Sequence, residues 1–521
     1  MFKKYFIISV LISSFVNLQG QSKEDKKHVK KLLKEAQLSF DIEDHLGAWS
    51  QYRQVLKLDS KNEKAGVNIA ITFFKINYSL DSAQIFIPSL ISSGLIDAKY
   101  YLAKIKHQQK SFDEAIQLLS DYNRASPKSR LRTTEEANYL IDICKSAKTM
   151  ISQAHRSVIK NMGPEINSIY SDYVPVIVPD ENTLYFTSRR EGSSNNKKDA
   201  YGNYFEDVYV SHKENGKWQK AENVGTPINS ETNDACVAIS PDGQRMILYR
   251  TAEDKVTGDL YITKLGLDNK WEPLKKMIKE INSQFTETSA CFTNDTNLLY
   301  FSSNRPGGYG GKDIYRIKKL PNGKWALPFN LGPNINTLYD EDSPFLHPDN
   351  VTLYFSSKGH NTMGEYDVFK SVYDPEANTF SKAENLGYPI NDVGNDIFFI
   401  LNVNGQRGFY SSLKEETIGS SDIFEIDTRF GDNDLKVKHG MAFKDGIPSK
   451  VKITLLDNEG NAVNGTYNSN PKTGKFILIV NPLKSYKAIV EFEGYTTLVV
   501  DVDPIAFEKI DKDFEFKLIK K

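Results

Sequence analysis

The feature that most constrains this chain is an internal repeat between residues 161 and 427. Each copy carries an Asp-apolar-aromatic triplet, preceded by an apolar-aromatic run and, before that, by a turn. The triplets are Asp207-Val208-Tyr209, Asp259-Leu260-Tyr261, Asp313-Ile314-Tyr315, Asp367-Val368-Phe369 and Asp422-Ile423-Phe424. They are 52, 54, 54 and 55 residues apart. Each copy has room for about four strands, so the repeat predicts a five-bladed β-propeller.

The ring of a propeller must close, because one blade cannot bury both of its faces. The last copy stops near Asp427 and lacks the outer strand that the other copies have. The segment Ser157-Val158-Ile159 lies just before the first copy. We expect this segment to complete the fifth blade.

Residues 21–150 contain little Gly or Pro, and their apolar residues recur at helical spacing. Ala36, Ala48 and Ser60 are 12 positions apart, and Ala103, Ala115 and Pro127 have the same spacing. Small residues let two antiparallel helices approach closely, and the proline ends the second helix. This pattern resembles the tetratricopeptide repeat, with a degenerate middle unit around residues 70–88. The resemblance implies either a groove for a peptide or protein or a structural spacer.

Residues 433–521 alternate apolar and polar residues in short runs that are separated by turns. Seven short strands in this segment predict a small β-sandwich. The turn at Thr473-Gly474-Lys475-Phe476 and the later Gly494-Tyr495 resemble the carboxypeptidase regulatory-like, or transthyretin-like, module. The predicted fold class is therefore multidomain α plus all-β: a helical repeat domain (21–150), a five-bladed propeller (151–432) and a transthyretin/Ig-like β-sandwich (433–521).

The first residues have the pattern of a signal peptide over residues 1–20. Lys3 and Lys4 precede an apolar stretch of about 14 residues, shorter than the roughly 20 that a spanning helix needs. A membrane anchor is the alternative. We expect export to the periplasm, with peripheral association with the outer membrane or the cell surface.

Composition excludes some classes of protein. With 66 basic and 67 acidic residues, the chain is not a uniformly basic nucleic-acid binder. Three cysteines exclude a disulfide framework. We expect Cys144, Cys236 and Cys291 to be buried thiols, and a Cys236–Cys291 bridge stays open.

The sequence lacks a His-Glu-x-x-His pair, a Gly-x-Ser-x-Gly elbow and a phosphate-binding loop. We therefore expect no enzyme activity, no metal and no cofactor.

Two sets of charged residues recur with the blades. The first is a candidate interaction site at one mouth of the central channel of the predicted propeller: Asp172, Asp234, Glu287, Glu341 and Asn395. Such a ring can bind a cation or a basic segment, or each side chain can cap a local turn. The second is a candidate basic patch for an anionic ligand: Arg189, Arg190, Arg250, Arg305 and Lys358. Its members can equally be solvated loop residues.

The motif Ser302-Ser303-Asn304-Arg305-Pro306-Gly307-Gly308, followed by Asp313-Ile314-Tyr315, resembles the PD40 (WD40-like) repeat. The order of the segments is similar to that of OmpA-family proteins of Bacteroidota, including PorE-type accessory proteins of type IX secretion. That resemblance implies an outer-membrane barrel of the PorP/SprF type as partner. The C-terminal OmpA-like domain of those relatives is not expected, because this sequence ends directly after the last predicted strand.

These observations favour a non-enzymatic periplasmic scaffold attached to a secretion or gliding complex. A glycan- or cell-wall-binding module is the alternative, because exported aromatic-rich proteins can stack rings on sugars. A propeller hydrolase or lyase for glycans or peptides is a third hypothesis.

Overall fold

A computed structural model describes residues 23–41, 44–60, 62–77, 96–127, 130, 132–193, 196–199, 203–252, 257–268, 270–293, 297–427, 435–503 and 514–520. The predicted signal peptide lies outside these residues, as does most of the middle helical unit around residues 70–88. The chain forms two compact units, Met1–Leu140 and Ile141–Lys521, and each is described by itself. Among the described residues, no helix is both long and apolar enough to cross a bilayer.

The described residues contain six helices. They are α1 (Lys23–Asp41), α2 (His45–Leu58), α3 (Glu63–Asn77), α4 (Ile96–Gln108), α5 (Phe112–Arg124) and α6 (Thr134–Ser152). Helices α1, α2 and α3 pack in chain order, and α4 packs on α5. Ala36 and Ala48 are fully buried in the contact between α1 and α2, and Ala103 and Ala115 are fully buried in α4 and α5. The 12-residue spacing therefore marks close helix–helix approach.

The predicted fold class, with a tetratricopeptide array as its helical part, is wrong. Thirty strands against six helices make the described chain mostly β. The helices α1, α3, α4 and α6 begin at intervals of 40, 33 and 38 residues rather than at a constant 34. Small residues at helix contacts report packing, which any antiparallel helix pair needs, and they do not by themselves establish a repeat.

Five antiparallel sheets make up the propeller, and their strands run from the centre outward. Blade 1 has β2 (Asp172–Ile177), β3 (Thr183–Ser188), β4 (Asp207–Glu214), β5 (Lys217–Trp218) and β6 (Glu222–Asn223). Blade 2 has β7 (Asp234–Ile239), β8 (Arg245–Thr251), β9 (Gly258–Lys264) and β10 (Lys275–Lys276). Blade 3 has β11 (Ala290–Phe292), β12 (Leu298–Ser303), β13 (Asp313–Lys318) and β14 (Phe329–Asn330).

The last two blades complete the ring. Blade 4 has β15 (Glu341–Leu346), β16 (Thr352–Ser357), β17 (Asp367–Asp374), β18 (Thr379–Phe380) and β19 (Glu384–Asn385). Blade 5 has β20 (Ile397–Leu401), β21 (Arg407–Ser412), β22 (Asp422–Asp427) and, as its outer strand, β1 (Val158–Asn161). The five inner strands β2, β7, β11, β15 and β20 contact one another in a closed cycle.

Closure of the ring by the segment before the first repeat is confirmed. Strand β1 pairs antiparallel with β22, and Ile159 lies opposite Ile426. Val158 and Ile159 are thus in the predicted place, and Ser157 lies just before the strand. The hydrogen bonds join the two ends of the propeller sequence and so fasten the ring.

The repeated Ile-Asn dipeptide latches each outer loop to the third strand of a blade. In blade 5, the Asn167 side chain accepts a hydrogen bond from the Ile423 amide and donates one to its carbonyl, both at 2.9 Å. The same pair of bonds recurs from Asn229 to Val208, Asn282 to Leu260, Asn336 to Ile314 and Asn391 to Val368. The bonds explain why the dipeptide and the apolar residue of the triplet repeat together.

The described residues of the C-terminal sandwich form eight strands in two sheets. One sheet contains β24 (Ile447–Pro448), β23 (Lys436–Lys444), β27 (Lys475–Val480) and β30 (Phe514–Leu518). The other contains β26 (Ala462–Asn468), β25 (Lys452–Leu456), β28 (Tyr486–Glu491) and β29 (Leu498–Val502). Phe476 and Phe516 stack in the core, with ring centres 4.9 Å apart. The sandwich contacts the propeller, since Asn468 donates a hydrogen bond to Asp242.

Candidate functional site

A buried carboxylate lies at or up to three residues before the start of each inner strand, and we call these five the anchor carboxylates. They are Asp172, Asp234, Glu287, Glu341 and Asp396. The predicted fifth member, Asn395, is instead exposed, and its side-chain oxygen accepts a hydrogen bond from the Tyr366 amide. Each anchor carboxylate accepts a hydrogen bond from the backbone amide four residues earlier, at 2.5–2.9 Å. These are the contacts of a turn cap, and none of the five lines the channel of the described propeller.

Four of the anchor carboxylates also hold a cation, and we call these partners the anchor cations. The ion pairs are Arg190–Asp172 at 2.5 Å, Arg250–Asp234 at 2.5 Å, Arg305–Glu287 at 3.2 Å and Lys414–Asp396 at 3.5 Å. Three members of each candidate set from the sequence thus meet in buried pairs. Lys414 was missed, although it stands 18 residues after its carboxylate, as Arg190 and Arg305 do.

The two remaining members of the predicted basic patch lie elsewhere. Lys358 pairs with Asp340 at 3.1 Å. Arg189 pairs with Asp199 at 3.1 Å and with Glu206 at 2.6 Å. The structure therefore does not assemble the five basic residues into one patch, because each is directed at a carboxylate near its own blade.

The inner strands enclose a channel with a cavity of about 290 Å³. Its wall is mostly apolar, and every blade contributes. Lining residues include Val176, Val237, Ala290, Phe345 and Ile400. Cys236 and Cys291 also lie in this wall as free thiols, so the bridge that the sequence left open is not formed. Burial raises the pKa of Cys291 to about 12, which makes a thiolate there unfavourable near neutral pH.

One end of the channel carries charged and aromatic side chains, which we call the mouth cluster. It consists of Tyr173, Arg189, Glu206, Lys312, Asp342 and Phe398. Five of its members lie at or just before the starts of first or third strands, which run in the same direction. Arg189 directly follows the end of the second strand β3, and an antiparallel second strand ends where the first and third strands begin. Tyr173, Glu206 and Phe398 line the cavity directly.

Glu206 is the centre of the first half of the mouth cluster. It accepts a hydrogen bond from the Tyr173 hydroxyl at 2.6 Å and one from Arg189 at 2.6 Å. Burial and the Glu206 carboxylate raise the pKa of Tyr173 well above its usual range, so the phenol keeps its proton. The arrangement presents a fixed donor–acceptor set at the edge of the channel.

Asp342 is the centre of the second half. It pairs with Lys312 at 2.6 Å and accepts hydrogen bonds from the Ser289 hydroxyl and from the Ser343 amide. Burial opposes ionisation, but Lys312 and these donors outweigh it and hold the pKa of Asp342 below its usual range. Asp342 is only 4% exposed and does not line the cavity itself. It is hydrogen-bonded to Ser289, which does line the cavity.

Bulges in the inner strands direct these side chains. Val174, Ser343 and Phe398 have positive φ angles of 53°, 55° and 60°, each where the strand register shifts. For such residues this conformation costs on the order of 1–3 kcal/mol. The bulges bring Tyr173 of blade 1 and Phe398 of blade 5 into a stack, with ring centres 6.4 Å apart.

Sequence reasoning missed most of the mouth cluster, because it searched for residues that repeat. The position before the triplet Asp varies among the blades: Glu206, Gly258, Lys312, Tyr366 and Ser421. So does the position after the anchor carboxylate: Tyr173, Ala235, Thr288, Asp342 and Ile397. Positions that vary inside a regular repeat were the sequence signal that could have identified the mouth cluster. No group of three or more potential metal ligands exists in the described part of the chain.

No protein-family model and no curated protein matches the chain. Solved structures with some likeness include the alpha-L-arabinofuranosidase of Podospora anserina in complex with cellotriose, at 10% identity and a TM-score of 0.34, over 51% of this chain and 94% of that one. An endo-arabinase of Bacteroides thetaiotaomicron has 15% identity and a TM-score of 0.35, over 51% and 97%. A thermostable family-43 glycoside hydrolase has 14% identity and a TM-score of 0.35, over 54% and 93%.

These comparisons correct several sequence predictions. The structural neighbours are glycoside hydrolases and not OmpA-family or PorE-type secretion proteins, so the predicted family is wrong. The non-enzymatic scaffold of a secretion or gliding machine, with its tetratricopeptide and outer-membrane associations, is contradicted on the same ground. The sequence prediction of the family failed because the repeat motifs specify the propeller fold, and many proteins with unrelated functions share that fold.

Proposed function

We propose that the propeller binds carbohydrate at the mouth cluster. One observation carries this proposal: the stacked Tyr173–Phe398 pair adjoins the ordered Glu206–Arg189 pair at the open end of an apolar channel. A sugar ring has an apolar C–H face and a rim of hydroxyls. Aromatic rings suit the face, and charged groups with fixed geometry suit the hydroxyls.

Binding of neutral oligosaccharides to the purified full chain tests the proposal. Isothermal titration with xylotriose and cellotriose is the measurement, and Phe398→Ala should weaken binding tenfold or more by removing half of the aromatic stack. Tyr309→Ala is the matched control, since Tyr309 is exposed and does not line the channel. Equal loss in both variants, or no binding to any oligosaccharide of a broad panel, would reject the proposal.

Glycosidic hydrolysis at the same mouth is a second candidate. Its support is the presence of two carboxylates in the mouth cluster, since glycoside hydrolysis commonly uses two. Asp342 is held ionised, as a base or nucleophile requires, although substrate must reach it past Ser289. Glu206 is the carboxylate that lines the cavity.

Release of reducing ends from the same oligosaccharides tests hydrolysis. Glu206→Gln should reduce turnover at least a hundredfold, and Glu384→Gln, a matched change at a surface ion pair, should leave it unchanged. Turnover that survives both Glu206→Gln and Asp342→Asn would reject this chemistry.

Export and an outer-membrane barrel partner stay predictions of the sequence, as nothing in the described structure bears on them. Cell fractionation, followed by N-terminal sequencing of the mature chain, tests export.

A further inference from the structure

Four blades share one buried joint around the anchor carboxylate. In blade 3, Glu287 accepts hydrogen bonds from Ser283 and Ser303 and pairs with Arg305, which also donates to the Ile281 carbonyl. Blades 1, 2 and 5 repeat the contact from the cation to the isoleucine carbonyl, through Arg190, Arg250 and Lys414. The cation therefore both neutralises the carboxylate and fastens the neighbouring loop.

Blade 4 builds this joint differently. Gly359 stands where Arg305 and Lys414 stand in their blades, two residues after the serine that ends the second strand. His360, at a φ of 53°, takes over the loop contact, with its Nε2 2.9 Å from the Ile335 carbonyl. Its ring packs on Phe355 and Phe369, at 6.2 and 5.2 Å between ring centres.

Glu341 is thereby left without a cation. Among the described residues it makes no ion pair. Lys358, which follows the Ser357 that lies opposite Glu341, pairs with Asp340 instead. The carboxylate accepts hydrogen bonds from the Thr337 amide and hydroxyl and from the Ser357 hydroxyl. A hydroxyl can also accept a hydrogen bond, so these partners serve a protonated carboxyl as well.

The other charged and titratable groups around Glu341 do not replace the missing cation. Asp313 repels it from blade 3, and the flanking carboxylates Asp340 and Asp342 are held by Lys358 and Lys312. Among the described residues, the groups that remain are the half-buried His360 and Tyr366 and the buried Asp367, and none of them supplies a permanent positive charge. Burial lowers the pKa of His360 and raises that of Tyr366.

We propose that blade 4 is a pH-sensitive joint of the propeller, in which ionisation of Glu341 near neutral pH weakens the packing that the anchor cations secure in the other blades. Burial raises the pKa of Glu341 to about 7, and burial also raises that of Asp367, on the next strand but one, to about 7. The folded chain therefore binds protons that the unfolded chain has already released between about pH 4.5 and 7. Stability from this joint is fully present below the unfolded pKa and is lost as the pH rises through 7.

Thermal unfolding of the full chain between pH 5.5 and 8.5 tests the joint. The wild-type Tm should fall by several degrees from pH 6 to pH 8, and Glu341→Gln should remove at least half of that fall. The matched control is Glu287→Gln, which leaves Arg305 without its carboxylate and should lower the Tm equally at both pH values. An unchanged fall in Glu341→Gln, or the same flattening in Glu287→Gln, would overturn the proposal.

Hydrogen exchange of the wild-type chain tests the joint without any variant. Protection of residues 337–357 should decrease between pH 6 and pH 8, after correction for the intrinsic exchange rate, relative to the equivalent residues 283–303 of blade 3. Equal behaviour of the two segments would overturn the proposal. Neither measurement involves a ligand, so the outcome does not depend on carbohydrate binding.

Discussion

The propeller contains two kinds of acidic side chain, and they differ in what they contact. The anchor carboxylates recur once per blade and bond to their own turn, and four of them also bond to a cation of their own blade. Glu206 and Asp342 of the mouth cluster occur once each and bond across to residues from other strands or blades. The repeated carboxylates stabilise the ring, and the unrepeated carboxylates make one end of the channel chemically different from the rest of the propeller. In a repeat protein, chemistry is therefore best sought where the repeat is broken.

Glu341 and Asp342 show how sharp this division is. They are adjacent in strand β15, yet one bonds to its local turn and the other to Lys312 of blade 3. Successive residues of a strand point to opposite faces, so neighbours in sequence join different networks. Burial raises the pKa of Glu341, whereas Lys312, the Ser289 hydroxyl and the Ser343 amide hold the pKa of Asp342 down.

The largest expected effect is on the anchor set. Asp172→Ala should destabilise the propeller by about 3–5 kcal/mol, because it leaves Arg190 partly buried without its partner and removes the Ser168 cap. Urea unfolding measures the change. Glu384→Ala, which removes a surface pair, should cost less than about 1 kcal/mol. Similar losses of unfolding free energy in the two variants would show that the anchor ion pair contributes no more than a surface ion pair.

A smaller loss of stability is expected at the mouth. Glu206→Gln should cost about 1–2 kcal/mol, because Arg189 keeps its ion pair with Asp199 and the Tyr173 hydroxyl keeps an acceptor. The same unfolding assay applies, with oligosaccharide affinity as the second readout. A loss as large as that of Asp172→Ala would place Glu206 with the structural carboxylates.

The pH dependence of the two neighbours should have opposite signs. The lowered pKa of Asp342 gives stability that is present above the unfolded pKa and is lost as the pH falls through the folded one. Asp342→Asn should therefore flatten acid unfolding below about pH 4, whereas Glu341→Gln flattens the curve near pH 7. Melting curves of both variants across pH 2.5–8.5 give the comparison. Flattening in the same pH range for both would contradict separate networks.

The smallest effect concerns the strain that shapes the mouth. Ser343→Gly should stabilise the chain by up to about 1 kcal/mol, because Ser343 has a positive φ and its buried hydroxyl has no hydrogen-bond partner among the described residues. Ser302→Gly is the control and should destabilise, since the Ser302 hydroxyl donates to the Glu341 carbonyl. Destabilisation by Ser343→Gly in the same assay would show that the bulge is not strained.

Much of the propeller was predictable, because its strands and turns recur at nearly constant intervals. The triplets mark the third strands of all five blades, and the closing strand at Val158 followed from the incomplete last copy. The family and the role were not predictable in the same way. A tetratricopeptide assignment failed because buried alanines at Ala36 and Ala48 report only that two helices are close.

The sequence by itself determined which segments pair, because the apolar periods of strands and the turn residues between them act over short distances. It also placed a carboxylate at the start of four inner strands and a basic residue 16 or 18 positions later in three of them. Only the tertiary structure decided that these charges neutralise each other, that Lys414 and Asp396 complete the set, and that no cation in the described part of the chain pairs with Glu341. Only ring closure brought Tyr173 next to Phe398, 225 positions later in the chain, because the first and last blades become neighbours when the circle closes.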